Sequence, residues 1–285
     1  MLSVVIPAQD EQQSIASTLD ELRIVLGNNG QPYEIIVVDD GSVDNTAEIV
    51  RQEEKALLIQ HLYNKGYGAA LKTGISKASG DIILIIDADG TYQADDIPKL
   101  LEYMEDYDMI VGSRNHKGVK IPLCRKPAKW FLTKLASYLS DTNIPDLNSG
   151  MRVFRKSDIV KFSNILSSGF SFTTTSTLAY LCNDLAIKYV PIEYHKRKGK
   201  SKIKPLRDGF NFILLILRVI TYFNPLKVFL PVAFILATVA VAVFILSLLL
   251  LDRIMDATVA ILFVAAIQIG VLGLLADVIA KKRGE

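Results

Sequence analysis

The sequence predicts an α/β domain built on a mostly parallel sheet, followed by a pair of helices that cross a membrane. Two observations support this fold class. Short apolar runs alternate with helical segments up to Lys204, and from Pro205 onward Leu, Ile, Val and Phe dominate the chain. Continuous apolar strands that alternate with helices are typical of a parallel sheet covered on both faces. We therefore expect a globular domain at residues 1–204, an amphipathic helix at 205–226 and a hydrophobic hairpin at 227–285.

The elements of the globular domain follow one another in regular alternation. The predicted strands are Val4–Pro7, Glu34–Asp39, Ala56–Leu62, Asp81–Asp87 and Asp108–Val111. The predicted helices between them are Ser14–Leu26, a helix from about Thr46, and Gly68–Ala78. Ligands of such sheets bind beyond the carboxyl ends of the strands. Chemically active residues are therefore expected just after each strand.

The hydrophobic hairpin is predicted from two uncharged stretches, Val228–Leu251 and Ala257–Ala276. Each reaches the roughly 20 apolar residues that a helix needs to cross a bilayer, and we expect spans at about residues 228–251 and 257–280. Lys227 and Lys281–Arg283 flank the outer ends, and the first residues lack the features of a signal peptide. We expect a multi-pass protein of the cell membrane whose globular domain and C-terminus are cytoplasmic.

Two further segments have the pattern of helices that lie at the membrane surface. In Leu206–Phe223 four polar or charged residues interrupt an apolar run, and in Lys126–Leu139 lysines alternate with aromatic and aliphatic residues. Such helices place basic side chains among lipid headgroups. For the second segment, an amphipathic helix packed on the globular domain explains the pattern equally well.

Composition excludes some classes of function. The formal net charge of +2 gives no sign of nucleic-acid binding. Cys124 and Cys182 are far apart and lack metal-ligand spacing, so we expect ordinary thiols in a reducing compartment.

The strongest chemical signal is Asp87-Ala88-Asp89, which follows the most apolar predicted strand. Residues two apart on a strand point to the same face, so both carboxylates are expected to face one site. Buried carboxylates need compensation, and Mg²⁺ is held by one or two carboxylates together with substrate phosphates. The pattern predicts a Mg²⁺ or Mn²⁺ site, with Gln93 as a further candidate ligand. The alternative is that these residues only begin a loop or cap a helix.

Other candidates follow the first three strands. Pro7 and Glu11 follow the first strand, and Asp39 and Asp40 end the second, where a carboxylate could bind a nucleobase or only form a turn. Asn64–Gly68 opens the next helix with two glycines. Its motif is incomplete for a dinucleotide-binding fold, but its N–H groups are expected to be free to approach phosphates.

The ordered set of motifs resembles family 2 glycosyltransferases of the GT-A fold. The matching motifs are Val5-Ile6-Pro7, Val38–Ser42, Asn64-Lys65-Gly66, Asp87-Ala88-Asp89 and Gly112-Ser113-Arg114. Two later segments, Asp146–Arg152 and Arg197–Lys202, resemble the branch of dolichol-phosphate mannose synthases and polyprenyl-phosphate glucosyltransferases. The resemblance covers roughly the first 205 residues.

The resemblance implies a role for each matched residue. The donor nucleotide-sugar is expected to contact Pro7, Glu11, Asp39, Asp40, Lys65, Gly66, Asp87, Ala88, Asp89, Arg197 and Lys202. The acceptor phosphate is expected to contact Arg114, Arg125, Ser149 and Arg152. Direct catalytic roles are expected for Asp89, Arg114, Asp146 and Arg197. The basic segment Arg197–Lys202 is expected to close over the donor diphosphate.

The implied reaction is inverting transfer of a hexose to polyprenyl or dolichyl phosphate. Because Gly90-Thr91-Tyr92-Gln93 follows the acidic pair where mannose synthases have Leu-Gln, a UDP-glucose-like donor is favoured over GDP-mannose. A mannose synthase using GDP-mannose stays an alternative, as does a non-catalytic, membrane-tethered nucleotide-sugar-binding protein. A processive synthase is disfavoured, because its Gln-x-x-Arg-Trp motif is absent from the sequence. The bilayer and a second copy of the chain are the expected partners.

Overall fold

The computed structural model describes residues 1–114, 134, 136–138, 142–169, 171–195, 214, 217–250 and 256–282. The chain forms two compact units, Met1–Ile213 and Leu214–Glu285. The predicted boundaries at residues 204 and 226 stay predictions. Within the two predicted surface helices, residues 134, 136–138, 214 and 217–223 are described, and they are helical.

Besides the helical residues 134 and 136–138, the described part of the first unit contains seven strands and six α-helices. The strands are β1 (Leu2–Ala8), β2 (Tyr33–Asp39), β3 (Ala56–Gln60), β4 (Ile82–Ile85), β5 (Met109–Arg114), β6 (Arg152–Arg155) and β7 (Ile187–Ile192). The helices are α1 (Ile15–Asn28), α2 (Thr46–Arg51), α3 (Tyr67–Lys77), α4 (Ile97–Leu101), α5 (Lys156–Lys161) and α6 (Phe172–Leu181). A 3₁₀ turn at Ala94–Asp96 precedes α4.

The strands form one mixed sheet in the order β3-β2-β1-β4-β6-β5-β7. Only β6 runs antiparallel to its two neighbours, β4 and β5. The carboxyl ends of the other six strands therefore meet at one edge of the sheet, and β6 begins at that same edge. This confirms the predicted α/β fold with a mostly parallel sheet.

Apolar side chains on both sides of β1 explain why the helices pack where they do. All seven residues of β1 are buried, and α1 buries the predicted apolar face of Ile15, Leu19, Leu22 and Leu26. On α3, Gly74 allows a close approach to the sheet, because a Cβ there would lie 2.3 Å from Val5 Cγ1. The start of α3 is thereby fixed near the carboxyl edge of the strands.

The second unit is a helical hairpin, as predicted. Its helices are α7 (Leu226–Leu250) and α8 (Asp256–Lys282), and each is long and apolar enough to cross a bilayer. The two helices pack along each other, and the residues they bury are all small, namely Ala240, Ser247, Ala266 and Gly273. Small residues let helix backbones approach closely, which is the usual basis of helix packing in membranes.

Candidate active site

Side chains tie the loops after β1 and β2 together. Asp10 N–H donates to Ser42 Oγ at 2.9 Å, and Val43 N–H donates to Asp10 Oδ1 at 2.9 Å. Glu11 N–H donates to Thr46 Oγ1 at 2.8 Å, and the Glu11 residue is buried. Glu11 therefore occupies the loop that leads into α1, at the carboxyl edge of the sheet.

Asp40 is committed to holding the next loop in place. Its Oδ1 contacts His61 Nδ1 at 2.7 Å and accepts from Lys65 N–H at 2.9 Å, and its Oδ2 accepts from Gly66 N–H at 2.8 Å. His61 Nε2 in turn lies 2.9 Å from Thr73 Oγ1 on α3. His61 was not predicted, because a lone histidine after an apolar strand carries no motif.

The carboxylate of Asp39 is as buried as that of Asp40 but accepts fewer of the hydrogen bonds found in this region. Its Oδ1 accepts from Ser42 N–H at 3.1 Å, and its Oδ2 accepts from Gln60 Nε2 at 3.3 Å. Each carboxylate oxygen has two lone pairs, so Asp39 keeps capacity for a further donor.

The start of α3 does not offer the free N–H groups that the sequence suggested. Gly68 N–H donates to Gly169 O at 3.2 Å, and Ala69 N–H donates to Ser168 O at 2.9 Å. A Cβ on Gly68 would lie 2.1 Å from Ser167 O, so this glycine is required by the close approach of residues 167–169. The protein itself therefore uses the N–H groups of Gly68 and Ala69, which argues against their approach to phosphates.

Asp87 and Asp89 lie beyond β4, which ends at Ile85. The two carboxylates therefore do not share a face of one strand as expected, because Asp89 occupies a turn. Asp89 Oδ1 accepts from Thr91 N–H at 3.2 Å and from Thr91 Oγ1 at 2.6 Å. Asp89 therefore begins a turn, as the loop-beginning alternative allowed, and its Oδ2 takes no part in that turn.

Asp87 is contacted from two directions. Tyr67 Oη donates to Asp87 Oδ1 at 2.8 Å. Burial raises the pKa of Tyr67 well above its ordinary value, and the charge of Asp87 adds to the effect, so the phenol stays a donor. On the other side, a Cβ on Gly150 would lie 2.3 Å from Asp87 Oδ2.

A buried tyrosine holds Gly150 in this place. Gly150 N–H donates to Tyr92 Oη at 2.7 Å, and Ser149 Oγ donates to Gly112 O at 2.5 Å. The ring of Tyr92 packs edge-on against Tyr194, with centroids 5.3 Å apart. The segment before β6 is therefore fastened both to β5 and to the loop after Asp89.

Arg114 and Asp146 form a two-pronged ion pair at the carboxyl end of β5. Arg114 Nε donates to Asp146 Oδ2 and Arg114 Nη2 donates to Oδ1, both at 2.7 Å. Burial by itself would lower the pKa of Arg114, but the hydrogen bonds and charge of Asp146 raise it above its ordinary value. The guanidinium also lies over the ring of Tyr194, 5.3 Å from its centroid.

Arg152 and Ser149, which the sequence assigned to the acceptor phosphate, are both fully buried. Arg152 donates to Ser149 O at 2.8 Å, to Leu147 O at 2.9 Å and to Thr177 Oγ1 at 2.6 Å. Burial lowers its pKa from the ordinary value. These placements argue against direct contact with an acceptor. Arg152 instead shapes the turn that presents Asp146 and Gly150.

The donor set at the acidic pair fits a hard divalent cation in part. Among the residues that the structure describes, no group of three or more His, Cys, Asp or Glu side chains forms a complete metal site. Two carboxylates are nevertheless the usual protein share where substrate phosphates complete the shell of Mg²⁺. Gln93 stays a candidate ligand, and Arg125, Arg197 and Lys202 lie outside the described residues.

Comparison with known families gives the frame for this site. The model of glycosyl transferase family 2 matches residues 3–162. The chain belongs to this family. The model of the GtrB C-terminal hairpin matches residues 224–281, which includes α7 and α8.

Curated relatives of this family-2 glycosyltransferase match most of the chain. The low-salt glycan biosynthesis hexosyltransferase Agl6 of Haloferax volcanii is 34% identical over 222 residues, covering 76% of this chain and 53% of that protein. This chain therefore spans about half the length of that relative. The UDP-N-acetylglucosamine–dolichyl-phosphate N-acetylglucosaminyltransferase of Methanococcus voltae is 30% identical, covering 75% of this chain and 96% of that protein.

Solved structures show the same fold at lower identity. Glucosyl-3-phosphoglycerate synthase from Mycobacterium tuberculosis, crystallised with Mn²⁺, uridine diphosphate and phosphoglyceric acid, matches with a TM-score of 0.61 and 20% identity. The match covers 77% of this chain and 78% of that chain. It supports the GT-A fold of the first unit.

Proposed function

We propose that this chain transfers a hexose from a UDP-sugar to polyprenyl or dolichyl phosphate, with inversion at the anomeric carbon. One observation carries the proposal. The acidic pair Asp87/Asp89 and the ion pair Arg114/Asp146 are linked through Tyr92, Tyr194 and Gly150 at the carboxyl edge of one sheet, in a chain that ends in an apolar hairpin.

The donor nucleotide is assigned to the loops after β1 and β2. Asp39 keeps unused acceptor capacity, and Glu11 and Pro7 lie on the same edge. Asp40 is assigned to holding these loops in place, because its carboxylate oxygens already contact His61 and accept from backbone N–H groups. The name of the Methanococcus voltae relative includes a UDP-sugar, which favours a UDP donor over GDP-mannose here.

Asp87 and Asp89 are the residues that would hold a divalent cation, together with the donor phosphates. A divalent cation bound there would supply positive charge that stabilises the diphosphate as a leaving group. The two carboxylates lie just beyond the end of β4 and would hold the cation there. Asp89 is kept in its turn by Thr91, and Asp87 is kept in place by Tyr67 and Gly150.

The nucleophile is an oxygen of the lipid phosphate. It forms a bond to the anomeric carbon as the bond from that carbon to the nucleotide diphosphate breaks, and the diphosphate leaves with the electron pair. A phosphate monoester is largely a dianion at neutral pH, so no general base is required. Both oxygens of Asp146 accept from Arg114, which fits an orienting role for Asp146 rather than proton removal.

Arg114 is assigned to bind the phosphates where donor and acceptor meet, and Arg125 to attract the acceptor phosphate. Arg197 and Lys202 are assigned to the departing diphosphate. A guanidinium held by a bidentate carboxylate is fixed in orientation, and such positioning supplies much of the rate in group transfer.

The hairpin α7–α8 is assigned to the bilayer. Lys227 lies at the start of α7, and Lys281 and Lys282 lie at the end of α8. By the positive-inside rule both ends face the cytoplasm. The catalytic domain then meets its lipid acceptor on the cytoplasmic face of the cell membrane.

A donor panel tests the proposal. Full-length protein in detergent is incubated with Mn²⁺, a short polyprenyl phosphate, and radiolabelled UDP-glucose, UDP-N-acetylglucosamine or GDP-mannose in turn. We expect label in the lipid phase with a UDP-sugar. Transfer only from GDP-mannose would establish the mannose synthase, and donor binding without transfer from any of them would establish a non-catalytic nucleotide-sugar-binding protein.

A further inference from the structure

We propose that Tyr67 is a positioning residue that fixes the Asp87 carboxylate for the divalent cation. The segment Asn64–Gly68 then serves to place this phenol. The inference rests on the proposed function, because it takes Asp87 as a ligand of the cation.

Tyr67 contacts the Asp87 carboxylate directly. Tyr67 is the first residue of α3, and its Oη donates to Asp87 Oδ1 at 2.8 Å. Gly150 touches the same carboxylate at Oδ2, where a Cβ would come within 2.3 Å. The carboxylate is therefore bracketed by α3 and by the segment before β6, and its rotation is restricted.

The backbone around Tyr67 is held in place on both sides. The residues on both sides of it are fixed, because Gly66 N–H donates to Asp40 Oδ2 and Gly68 N–H donates to Gly169 O. Gly66 has a backbone φ of 104°, which residues other than glycine rarely adopt. Further along α3, Gly74 seats the helix against Val5. These contacts fix the backbone on both sides of Tyr67.

A hydrogen bond from a neighbouring side chain changes how well a carboxylate binds a metal ion. A hydrogen bond to a ligating carboxylate orients it and leaves its other lone pairs for the metal, and loss of such a bond typically costs about 10- to 100-fold in metal affinity or activity. Mg²⁺ and Mn²⁺ sites depend on this kind of preorganisation, because an unsupported carboxylate must give up rotational freedom on binding.

The experiment measures Mn²⁺ binding by the full-length chain in detergent, in the presence of UDP, from the electron paramagnetic resonance signal of free Mn²⁺, with the same mixture lacking protein as the baseline. Tyr67→Phe removes only the donor. Tyr180→Phe is the matched control, because Tyr180 is also a buried phenol, and its hydroxyl has no hydrogen-bond partner among the described residues. Asp89→Asn reports whether the binding is at the acidic pair. Circular dichroism sets a temperature at which every variant is folded.

We expect Tyr67→Phe to raise the Kd for Mn²⁺ by about tenfold, while Tyr180→Phe leaves it unchanged and Asp89→Asn abolishes the site. An unchanged Kd in Tyr67→Phe, with binding that still depends on Asp89, would overturn the role of Tyr67 and leave the proposed function intact. Binding that is absent in the wild type or insensitive to Asp89→Asn would instead overturn the metal assignment and this inference with it.

Discussion

At the scale of single residues, Gly150 sets how closely the segment before β6 can approach Asp87. The Cβ of any other residue would overlap the carboxylate, since it would lie 2.3 Å from Oδ2. The carboxylate would have to rotate away and would lose its hydrogen bond with Tyr67. A side chain at this position is therefore a direct probe of the site's geometry.

We predict that Gly150→Ala lowers kcat about 100-fold, the size of loss that follows a displacement of about 1 Å at a reacting centre. The free energy of unfolding should fall by only about 1–3 kcal/mol, as for other small overpacking changes. The matched control is Gly27→Ala on α1, where a Cβ meets no atom within 4 Å. Steady-state kinetics and thermal unfolding of both variants measure this, and wild-type kcat in Gly150→Ala would show that Asp87 need not hold its position.

Arg152 gives a second prediction at this scale. Its guanidinium satisfies the buried carbonyls of Leu147 and Ser149, and leaving such acceptors unpaired costs about 1–3 kcal/mol each. Arg152→Met should therefore lower the free energy of unfolding by about 3 kcal/mol, measured by urea denaturation. If the variant is as stable as wild type and only the KM for the lipid phosphate rises, Arg152 is an acceptor ligand after all.

The residues also show what sequence patterns can reveal. Asp87 and Asp89 were singled out because they follow an apolar strand at the edge where ligands bind, and Arg114 was singled out by the resemblance to family 2; the roles of all three stay predictions. Arg152 was expected at the acceptor phosphate, and its burial argues against that contact, because a charged residue in a motif gives no indication that its charge is turned into the core. His61 and Tyr67 were missed, because their partners Asp40 and Asp87 come from distant parts of the chain.

At the scale of elements, the end of β7 is fastened to the loop after Asp89. Tyr92 and Tyr194 form an antiparallel bridge, and His195 N–H donates to Thr91 O at 2.9 Å. Tyr194 also supports the guanidinium of Arg114 with its ring. One short connection therefore links the acidic pair with the ion pair.

We predict that Tyr194→Ala lowers kcat by about 2- to 30-fold, because a cation–π contact contributes about 0.5–2 kcal/mol and the freed guanidinium becomes mobile. Tyr194→Phe keeps the ring and should retain most of the rate. Kinetics with saturating donor separate the two variants. Equal loss in both would mean that the phenol oxygen, rather than the ring, is what matters.

The strands β1 to β5 were predicted because each contains a continuous apolar run. β6 and β7 were not predicted. β6 has four residues and begins and ends with arginine, and β7 contains Lys188 and Pro191. Pairing with β4 and β5 makes these segments strands, and that tertiary effect is invisible in local composition.

At the scale of the whole molecule, the chain divides into the unit Met1–Ile213, which carries the acidic pair, and the unit Leu214–Glu285, which contains the helical hairpin. The sequence predicted the hairpin well, with spans at about 228–251 and 257–280 against helices Leu226–Leu250 and Asp256–Lys282. An uncharged apolar run of this length is typical of a membrane-spanning helix. The hairpin could therefore be predicted from local sequence, without knowledge of tertiary contacts.

We predict that truncation after Lys204 abolishes sedimentation with membranes and sharply reduces transfer to long-chain acceptors. Donor binding, measured by calorimetry, should survive, because Asp39, Asp87 and Asp89 lie in the retained part. A short-chain acceptor is the control, since it needs no bilayer. Loss of donor affinity in a folded truncation would mean that residues after 204 help to build the nucleotide site.

The most direct measurement of the central claim is mass spectrometry of the lipid product made by full-length protein from polyprenyl phosphate and the preferred nucleotide-sugar. We predict a lipid heavier by one sugar residue, absent with polyprenol that lacks the phosphate, absent with Asp89→Asn, and retained with Asp106→Asn, an exposed carboxylate away from the site. Sugar found on polyprenol itself, or wild-type product from Asp89→Asn, would contradict transfer to a lipid phosphate at this acidic pair.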